Sequence, residues 1–200
     1  MQLFLHQSEW IQGKQGLKDL NLMLVFQVNC PGCLGRALPL LEQLSISYPD
    51  LNVFALSTAF EDFSLNNLEN TRALVSEGNL TQASARYFER LGHKKLPYDI
   101  SVPVVMDWFM SDRQICSLPD QILSNMGREE LSPKVTQLMK NMLNQRLLPM
   151  ARTGRTFLNN QMQGTPCWYL FNGDFEILDS WFGHKDLDWV RSSIEGFTSE

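Results

Sequence analysis

The stretch LMLVFQVNCPGC at residues 22–33 decides the fold of this 200-residue chain. Its first seven residues form a short apolar run rich in strand-forming side chains, which predicts a buried strand. Behind Cys33 the leucines recur at helical spacing, and Pro31 suits a first helical turn, where no backbone N–H is needed. The pattern predicts a strand that runs directly into a helix, with Cys30 and Cys33 at the junction.

This position has chemical consequences for the two thiols. The N-terminus of a helix presents free backbone N–H groups and a partial positive charge. A thiolate at Cys30 is stabilised there, so we expect a lowered pKa and a nucleophile at neutral pH. Cys33 lies one helical turn further on, where it can attack a mixed disulfide formed at Cys30. The spacing therefore indicates an attacking thiol and a resolving thiol.

Two other interpretations of a CxxC motif are a zinc site and a buried, inert pair. A zinc site needs two further ligands. Cys116 and Cys167 are not paired at ligand spacing. The histidines are scattered along the chain, at His6, His93 and His184. Pro-Gly between the cysteines at a helix start favours redox chemistry over both. We therefore expect no metal and no organic cofactor.

The remaining pattern indicates one α/β domain over residues 1–200. Strand-forming runs occur at 53–58, 101–106 and 167–171, and Asn172-Gly173 predicts a hairpin turn after the last of them. Residues 108–163 are mostly helical and form an insertion. One of its helices opens at Ser132-Pro133 and has an apolar face that we expect to be covered, formed by Val135, Leu138, Met139, Met142 and Leu143.

The composition excludes several classes of protein. The chain is 44% hydrophobic and 20% charged, unlike a disordered chain, and its longest clean apolar run is too short to span a membrane. The net charge is −5 and no run of Lys or Arg occurs, so nucleic acid and membranes are not expected partners. The first residues lack a basic segment followed by a long apolar one. This predicts a cytoplasmic protein, or a periplasmic one if a leader has been removed.

Three separated motifs resemble those of the thioredoxin superfamily. They are LMLVFQVNCPGC followed by a helix with Pro39, SVPVVMD at 101–107, and Gly164-Thr165-Pro166 ahead of a strand and hairpin. The resemblance implies a thioredoxin-like fold, with a mixed central sheet flanked by helices and an extra strand before a cis-proline. The extra strand and SVPVVMD are most similar to the TlpA-like and peroxiredoxin-like redoxin branch. The resemblance does not extend over the insertion at 108–163.

The resemblance also implies roles for particular residues. Cys30 would be the nucleophile and Cys33 the resolving thiol of a thiol–disulfide oxidoreductase. Pro166 would follow a cis peptide bond, and Thr165 would offer its backbone to an extended substrate segment. The partner implied is a protein thiol or disulfide, either a substrate or a reductase.

The chain departs from the thioredoxin pattern at three positions. Leu24 stands where thioredoxins carry a buried acidic residue, and Asn29 stands where they carry a tryptophan. Pro39 falls one residue later than the usual helix proline. The proton acceptor for Cys33 is therefore unassigned. The candidates are three carboxylates in loops near strand ends, Glu61, Asp62 and Asp107. The alternative for each is a solvated loop charge with no role in the reaction.

Two rival functions stay open on the sequence. In a thiol peroxidase, Cys30 would form a sulfenic acid. The peroxiredoxin motif Pro-x-x-x-Thr/Ser-x-x-Cys is absent, however, because Met23 and Gln27 occupy its Pro and Thr/Ser positions. In a non-catalytic binding module, the insertion would be a partner surface. The insertion ends beside the expected cis-proline, so we hypothesise that it restricts substrate access; the alternative is that it packs on the far side of the sheet.

Overall fold

The computed structural model describes residues 1–125 and 132–198. The strands are β1 Gln7–Gln12, β2 Leu20–Phe26, β3 Asn52–Ser57, β4 Val104–Asp107, β5 Cys167–Asn172 and β6 Ile177–Phe182. The helices are α1 Leu38–Ser47, α2 Leu68–Glu77, α3 Gln82–Arg90, α4 Asp112–Asn125, α5 Pro133–Arg152, α6 Arg155–Asn159 and α7 Leu187–Thr198. A π-helical turn at Cys33–Ala37 precedes α1. In the part of the chain described, no helix has the length and apolarity that crossing a membrane requires.

The six strands form one mixed sheet in the order β1-β4-β3-β2-β5-β6. The central strands β2, β3 and β4 are parallel, whereas β1, β5 and β6 each run antiparallel to their neighbours. This is the mixed sheet that the sequence predicts. Because β2, β3 and β4 are parallel, their carboxyl ends meet at one edge of the sheet. Cys30, the loop after Ser57 and Asp107 therefore lie along that edge.

The strand β2 is buried on both faces, and its side chains alternate between two cores. Leu24 and Phe26 belong to the larger core, which is covered by α1, α2, α3 and α7 and includes Cys33. Met23 and Val25 belong to a smaller core on the opposite face, which the N-terminal segment and α6 cover. The sheet thus separates the helix that follows the CxxC motif from the segment that ends the insertion.

The insertion is fixed to the sheet by the carboxylate of Asp107. This side chain is fully buried and accepts backbone hydrogen bonds from Thr156 at 2.9 Å and Phe157 at 3.3 Å. It also accepts from the Thr58 hydroxyl at 2.7 Å and from the N–H of Trp108 at 2.8 Å. The start of α6 is therefore bound to the end of β4.

A backbone hydrogen bond and a glycine without a side chain let the ends of the insertion meet. The N–H of Arg155 donates to the carbonyl oxygen of Trp108 at 2.9 Å. A Cβ at Gly154 would lie 2.2 Å from Oδ2 of Asp107, so no larger residue fits there without displacing buried groups. We call Asp107, Trp108 and Gly154–Phe157 the insertion junction.

The outer part of the insertion differs from the prediction of a covered apolar face. Helix α5 begins at Pro133, as predicted, and packs chiefly against α4, with an ion pair between Lys140 and Asp120. Val135, Leu138 and Met142 are 42%, 60% and 51% exposed. Met139 and Leu143 of the same face are half-buried, so the expectation that this face is covered is wrong for three of its five residues, because α5 packs chiefly against α4.

The hairpin predicted at Asn172-Gly173 is present, with a longer loop than a two-residue turn. Strand β5 ends at Asn172 and β6 begins at Ile177. The N–H of Phe175 donates to the Asn172 carbonyl oxygen at 3.0 Å, and the Asn172 N–H donates to that of Glu176 at 3.1 Å. The loop therefore closes tightly although it contains four residues.

Candidate active site

The two cysteines lie in one turn at the carboxyl end of β2. Residues 29–37, which we call the thiol turn, connect the strand to α1, and the backbone is helical from Pro31 onward. The N–H of Cys30 donates to the Gln27 carbonyl oxygen at 3.2 Å, and that of Leu34 donates to the Cys30 carbonyl oxygen at 3.2 Å. The strand–helix junction predicted from the sequence is therefore formed with Cys30 at the helix start.

Within this turn the two thiols have opposite environments. Both cysteines are free, Cys30 is partly exposed and Cys33 is fully buried. The N–H of Cys33 donates to Sγ of Cys30 at 3.2 Å. Hydrogen bonding from the Cys33 thiol, with help from nearby backbone N–H groups, lowers the pKa of Cys30 to about 7, although partial burial opposes this. Burial, and the neighbouring Cys30, raise the pKa of Cys33 well above its ordinary value.

The thiol turn has π-helical geometry and is followed by a proline. The N–H of Leu38 donates to the Cys33 carbonyl oxygen, five residues back. The next residue in this pattern is Pro39, which has no N–H to offer the carbonyl oxygen of Leu34. The hydroxyl of Tyr98 donates to that oxygen instead. A residue from the loop before β4 thus completes the backbone hydrogen bonding beside Cys33.

The segment before β5 faces Cys30. The peptide bond between Thr165 and Pro166 is cis, and Pro166 is buried. The Cys30 thiol donates to the Thr165 carbonyl oxygen, with 3.7 Å between sulfur and oxygen. The Thr165 hydroxyl donates to Oε1 of Gln27 at 3.3 Å, and the N–H of Gly183 donates to the Pro166 carbonyl oxygen at 2.8 Å. All four residues singled out from the sequence therefore lie at one place.

Sequence reasoning missed the amides that support the thiol turn. The side chain of Asn29 accepts from the N–H of Ala83 at 2.8 Å, at the start of α3, and donates to Asp62 at 3.0 Å. Its backbone N–H donates to Oδ1 of Asn66 at 2.9 Å. In the sequence, Asn29 stands out only as a departure from the thioredoxin tryptophan. An Asn immediately before the first cysteine is the only local signal, because its partners lie 33 to 54 residues away.

Two side chains from other elements pack on the glycines of the helix start. A Cβ at Gly32 would lie 3.0 Å from Nε2 of His184, and one at Gly35 would lie 3.0 Å from the ring of Tyr87. His184 is half-buried, and its burial and the charge of Arg36 lower its pKa. The absence of side chains at the two glycines lets the loop after β6 and helix α3 approach the thiol turn closely.

The three candidate proton acceptors are placed differently. The Asp62 carboxylate accepts from Asn29 of the thiol turn, and the backbone carbonyl oxygen of Glu61 accepts at 3.4 Å from the side chain of Gln27, which precedes that turn. Asp107 lies at the insertion junction, two strands away from β2, where burial raises its pKa. The alternative that Asp107 is a solvated loop charge is wrong, because it is fully buried.

The other two cysteines lie away from the pair. Cys167 follows Pro166 directly but points into the smaller core on the opposite face of the sheet, where burial raises its pKa. Cys116 is exposed on α4. In the described ranges, no group of three or more His, Cys, Asp or Glu side chains is placed to hold a metal ion.

Solved structures match the chain over its full length. A thiol-disulfide isomerase from Corynebacterium glutamicum has a TM-score of 0.62 and 17% identity, with 100% of this chain and 97% of that chain covered. A thioredoxin-like superfamily protein has a TM-score of 0.61 and 17% identity over the same shares. The solution structure of an oxidised thioredoxin-like protein has a TM-score of 0.50 and 12% identity, covering 98% and 92%.

Comparison of the sequence alone gives no match. No family model and no curated protein sequence matches the chain. At 17% identity, similarity of structure establishes the fold, and the function has to be argued from the site. The six-stranded mixed sheet flanked by helices, matched from end to end by these structures, gives the chain a thioredoxin-like fold.

Proposed function

We propose that the protein is a thiol–disulfide oxidoreductase that exchanges disulfides with a protein partner through Cys30 and Cys33. One observation carries the proposal: Cys30 is a partly exposed thiol at a helix start with a pKa of about 7, and a buried thiol lies beside it. A thiol with this pKa is about half ionised at neutral pH, and the thiolate is the nucleophile.

The reaction follows from the unequal thiols. The Cys30 thiolate attacks one sulfur of a substrate disulfide, so that a bond between Cys30 and the substrate forms and the first substrate thiolate leaves. Cys33 then transfers its proton to the released substrate thiolate and attacks Sγ of Cys30. The Cys30–Cys33 disulfide forms, the second substrate thiolate leaves, and two electrons have passed to the substrate. In the opposite direction the same steps oxidise a dithiol.

The surroundings of the pair support a polypeptide substrate. The Thr165 carbonyl oxygen lies 3.7 Å from the Cys30 sulfur, so a segment disulfide-bonded to Cys30 runs past the Thr165 backbone. An extended segment can there add to exposed backbone groups, as in strand addition. We therefore assign substrate binding to Thr165 and Pro166, and nucleophilic and resolving roles to Cys30 and Cys33.

The test is the reaction of the reduced protein with dithionitrobenzoate, followed by insulin reduction with dithiothreitol. Both are measured in the Cys116→Ser protein, so that the exposed thiol of α4 does not contribute. We expect two thionitrobenzoate ions per chain. Adding Cys30→Ser should reduce the rate of insulin reduction to that of the uncatalysed reaction with dithiothreitol. Adding Cys167→Ser should leave the rate of insulin reduction unchanged.

Three outcomes would contradict the proposal. An unchanged rate in the Cys30→Ser protein would show that Cys30 is not the nucleophile. Consumption of hydrogen peroxide by Cys33→Ser, in a protein that does not reduce disulfides, would favour the thiol peroxidase. Absence of both activities in the folded protein would favour the binding module.

Some conclusions from the sequence stay predictions. They are the single domain over residues 1–200, the location in the cytoplasm, and the TlpA-like and peroxiredoxin-like redoxin branch. The expected absence of a cofactor is also a prediction.

A further inference from the structure

A cavity of about 580 Å³ opens at the same edge of the sheet as the thiol turn. Ala59 after β3 and Met106 at the end of β4 form its floor, and the insertion contributes Trp108–Met110 and Ile115 of α4. Crevices at the carboxyl ends of parallel strands are the usual ligand sites of α/β sheets. The core fold and the insertion therefore both line this cavity.

The chemistry of the walls selects an uncharged, apolar occupant. Most of the inner wall is carbon and sulfur, from Phe63, Leu68, Met106, Phe109, Met110 and Ile115. The charged lining residues are Asp112 and Arg152, which are both exposed at the rim and carry opposite charges. Their charges cancel, so the rim does not favour an ionic ligand of either sign.

The insertion side of the cavity is held in place before any ligand binds. The guanidinium of Arg155 lies over the Trp108 ring, 5.6 Å from its centroid, and donates to Sδ of Met110 at 2.9 Å. The backbone of Trp108 is fixed by Asp107 and Arg155 at the insertion junction. A pocket with fixed walls loses little conformational entropy on binding.

One residue belongs both to the cavity and to the support of the thiol turn. Asn66 is 3% exposed and lines the cavity. Its side-chain oxygen accepts a hydrogen bond from the backbone N–H of Asn29, the residue immediately before Cys30. The cavity lies at the ends of β3 and β4, which are one and two strands from β2. Neighbouring strands are about 4.8 Å apart and an extended chain rises about 3.3 Å per residue, so about three residues cover the distance.

We propose that this cavity binds a large apolar side chain, aromatic or long aliphatic, of the protein substrate, about three residues from the cysteine that reacts with Cys30. The inference rests on the proposed function and specifies its substrate. The insertion then selects substrates by supplying one wall of a side-chain pocket, and does so without touching the thiols.

The experiment uses the full-length Cys116→Ser protein, reduced, and short peptides whose single cysteine carries thionitrobenzoate. One set has Phe three residues before or after the cysteine, and the reference set has Ser there. The second-order rate of thionitrobenzoate release is measured for each. We expect one Phe peptide to react about tenfold faster than its Ser reference, as burial of a large apolar side chain allows.

Variants on both walls test the location of the pocket. Phe109→Ala on the insertion side and Phe63→Ala on the opposite side should each bring the Phe-to-Ser ratio close to one. The matched control is Leu138→Ala, an exposed apolar residue of α5 outside the cavity, which should keep the ratio near ten. Since the ratio is internal to each variant, a general loss of activity does not imitate the result.

The outcomes separate this inference from the proposed function. If the Cys116→Ser protein reacts with neither peptide set, the proposed function is wrong. If it reacts with both sets at equal rates, or if the ratio survives in both wall variants, the pocket inference is wrong. Equal peptide rates together with binding of the apolar dye Nile red that Phe109→Ala abolishes would assign the cavity to a free apolar molecule and likewise overturn the inference.

Discussion

The thiol turn and the insertion junction both place an acidic side chain beside backbone N–H groups at a helix start. The pKa values of the two side chains nevertheless shift in opposite directions. Asp107 accepts three backbone N–H groups and a hydroxyl, is fully buried, and has a raised pKa. Cys30 has fewer donors, is partly exposed, and has a lowered pKa. Burial raises the pKa of both groups: at Asp107 it outweighs the hydrogen bonds, whereas at Cys30 hydrogen bonding from the Cys33 thiol outweighs it.

This difference separates the two regions by purpose. A reactive group has to be ionised and accessible, and the thiol turn provides both at Cys30. A group that holds two segments together has to be enclosed by its partners, and the insertion junction encloses Asp107. Four predictions test this contrast, the largest effect first.

At the junction, the Gly154→Ala substitution should have the largest effect on stability. The new Cβ would lie 2.2 Å from Asp107 and from Thr58, so buried groups must move apart. We expect the free energy of unfolding in urea to fall by about 3 kcal/mol, as for severe overpacking. The matched control is Gly196→Ala in α7, where no atom lies within 4 Å of the new Cβ. Equal effects in the two variants would show that the junction is loosely packed.

In the thiol turn, Cys33→Ala should make Cys30 less reactive. The Cys33 thiol is the largest cause of the lowered pKa of Cys30, and the Cys33 backbone N–H remains in the variant. The alkylation rate of the wild type by iodoacetamide should rise with pH with a midpoint at about 7. In the variant the midpoint should move up towards 9.0, the ordinary value, and each unit lowers the rate at pH 7 about tenfold. Cys167→Ala should keep the wild-type midpoint; a shift there would contradict our account.

The titration of Asp107 should make stability fall as pH rises. Burial raises its pKa above 3.8, so the folded chain binds the proton more tightly than the unfolded chain. The contribution of this group favours folding at low pH and is lost as pH rises from about 4 through the folded pKa. The stability of the wild type relative to Asp107→Asn should therefore decline by at most about 1.4 kcal/mol per pH unit.

Removal of one donor sharpens the test of Asp107. Thr58→Val deletes the hydroxyl that stabilises the ionised carboxylate, so the pKa of Asp107 should rise further and the decline should extend to higher pH. Urea denaturation at several pH values measures both variants. An increase of relative stability with pH would mean that the buried carboxylate is stabilised as an ion, as Cys30 is.

The smallest effect concerns the backbone of the thiol turn. Tyr98→Phe removes the hydroxyl that donates to the carbonyl oxygen of Leu34, which Pro39 leaves without a backbone donor. We expect a loss of about 1 kcal/mol in the free energy of unfolding. Tyr87→Phe, whose ring packs on Gly35, is the control and should change stability little. Comparable losses would mean that the Tyr98 hydrogen bond adds nothing specific.

The sequence predicts the thiol turn well because its determinants are local. The apolar run, the CxxC spacing and the proline at the helix start all lie within residues 22–33. Pro39 signals that the helix is irregular, but the donor to the Leu34 carbonyl oxygen is Tyr98, which is 64 residues from Leu34. The strand–helix junction was predictable, whereas the group that completes it was not.

The insertion junction was not predictable in the same way. The role of Asp107 depends on Thr156 and Phe157, which are 49 and 50 residues away and carry no motif. The apolar period of α5 predicts burial, yet Leu138 is 60% exposed, because periodicity shows which face is apolar and not what lies against it. Contacts between distant, individually ordinary residues leave no pattern in one sequence.

The hydrogen bond between Arg155 and Trp108 has a consequence for how this chain can change over evolutionary time. Since these residues are joined backbone to backbone at 2.9 Å, the 46 residues between them leave the sheet and return at the same point in space. A segment with coincident ends can be lengthened, shortened or exchanged for a whole domain while its host keeps its geometry. Lineages that keep the cysteines unaltered can therefore replace the insertion as one unit, and protein engineers can use the same junction.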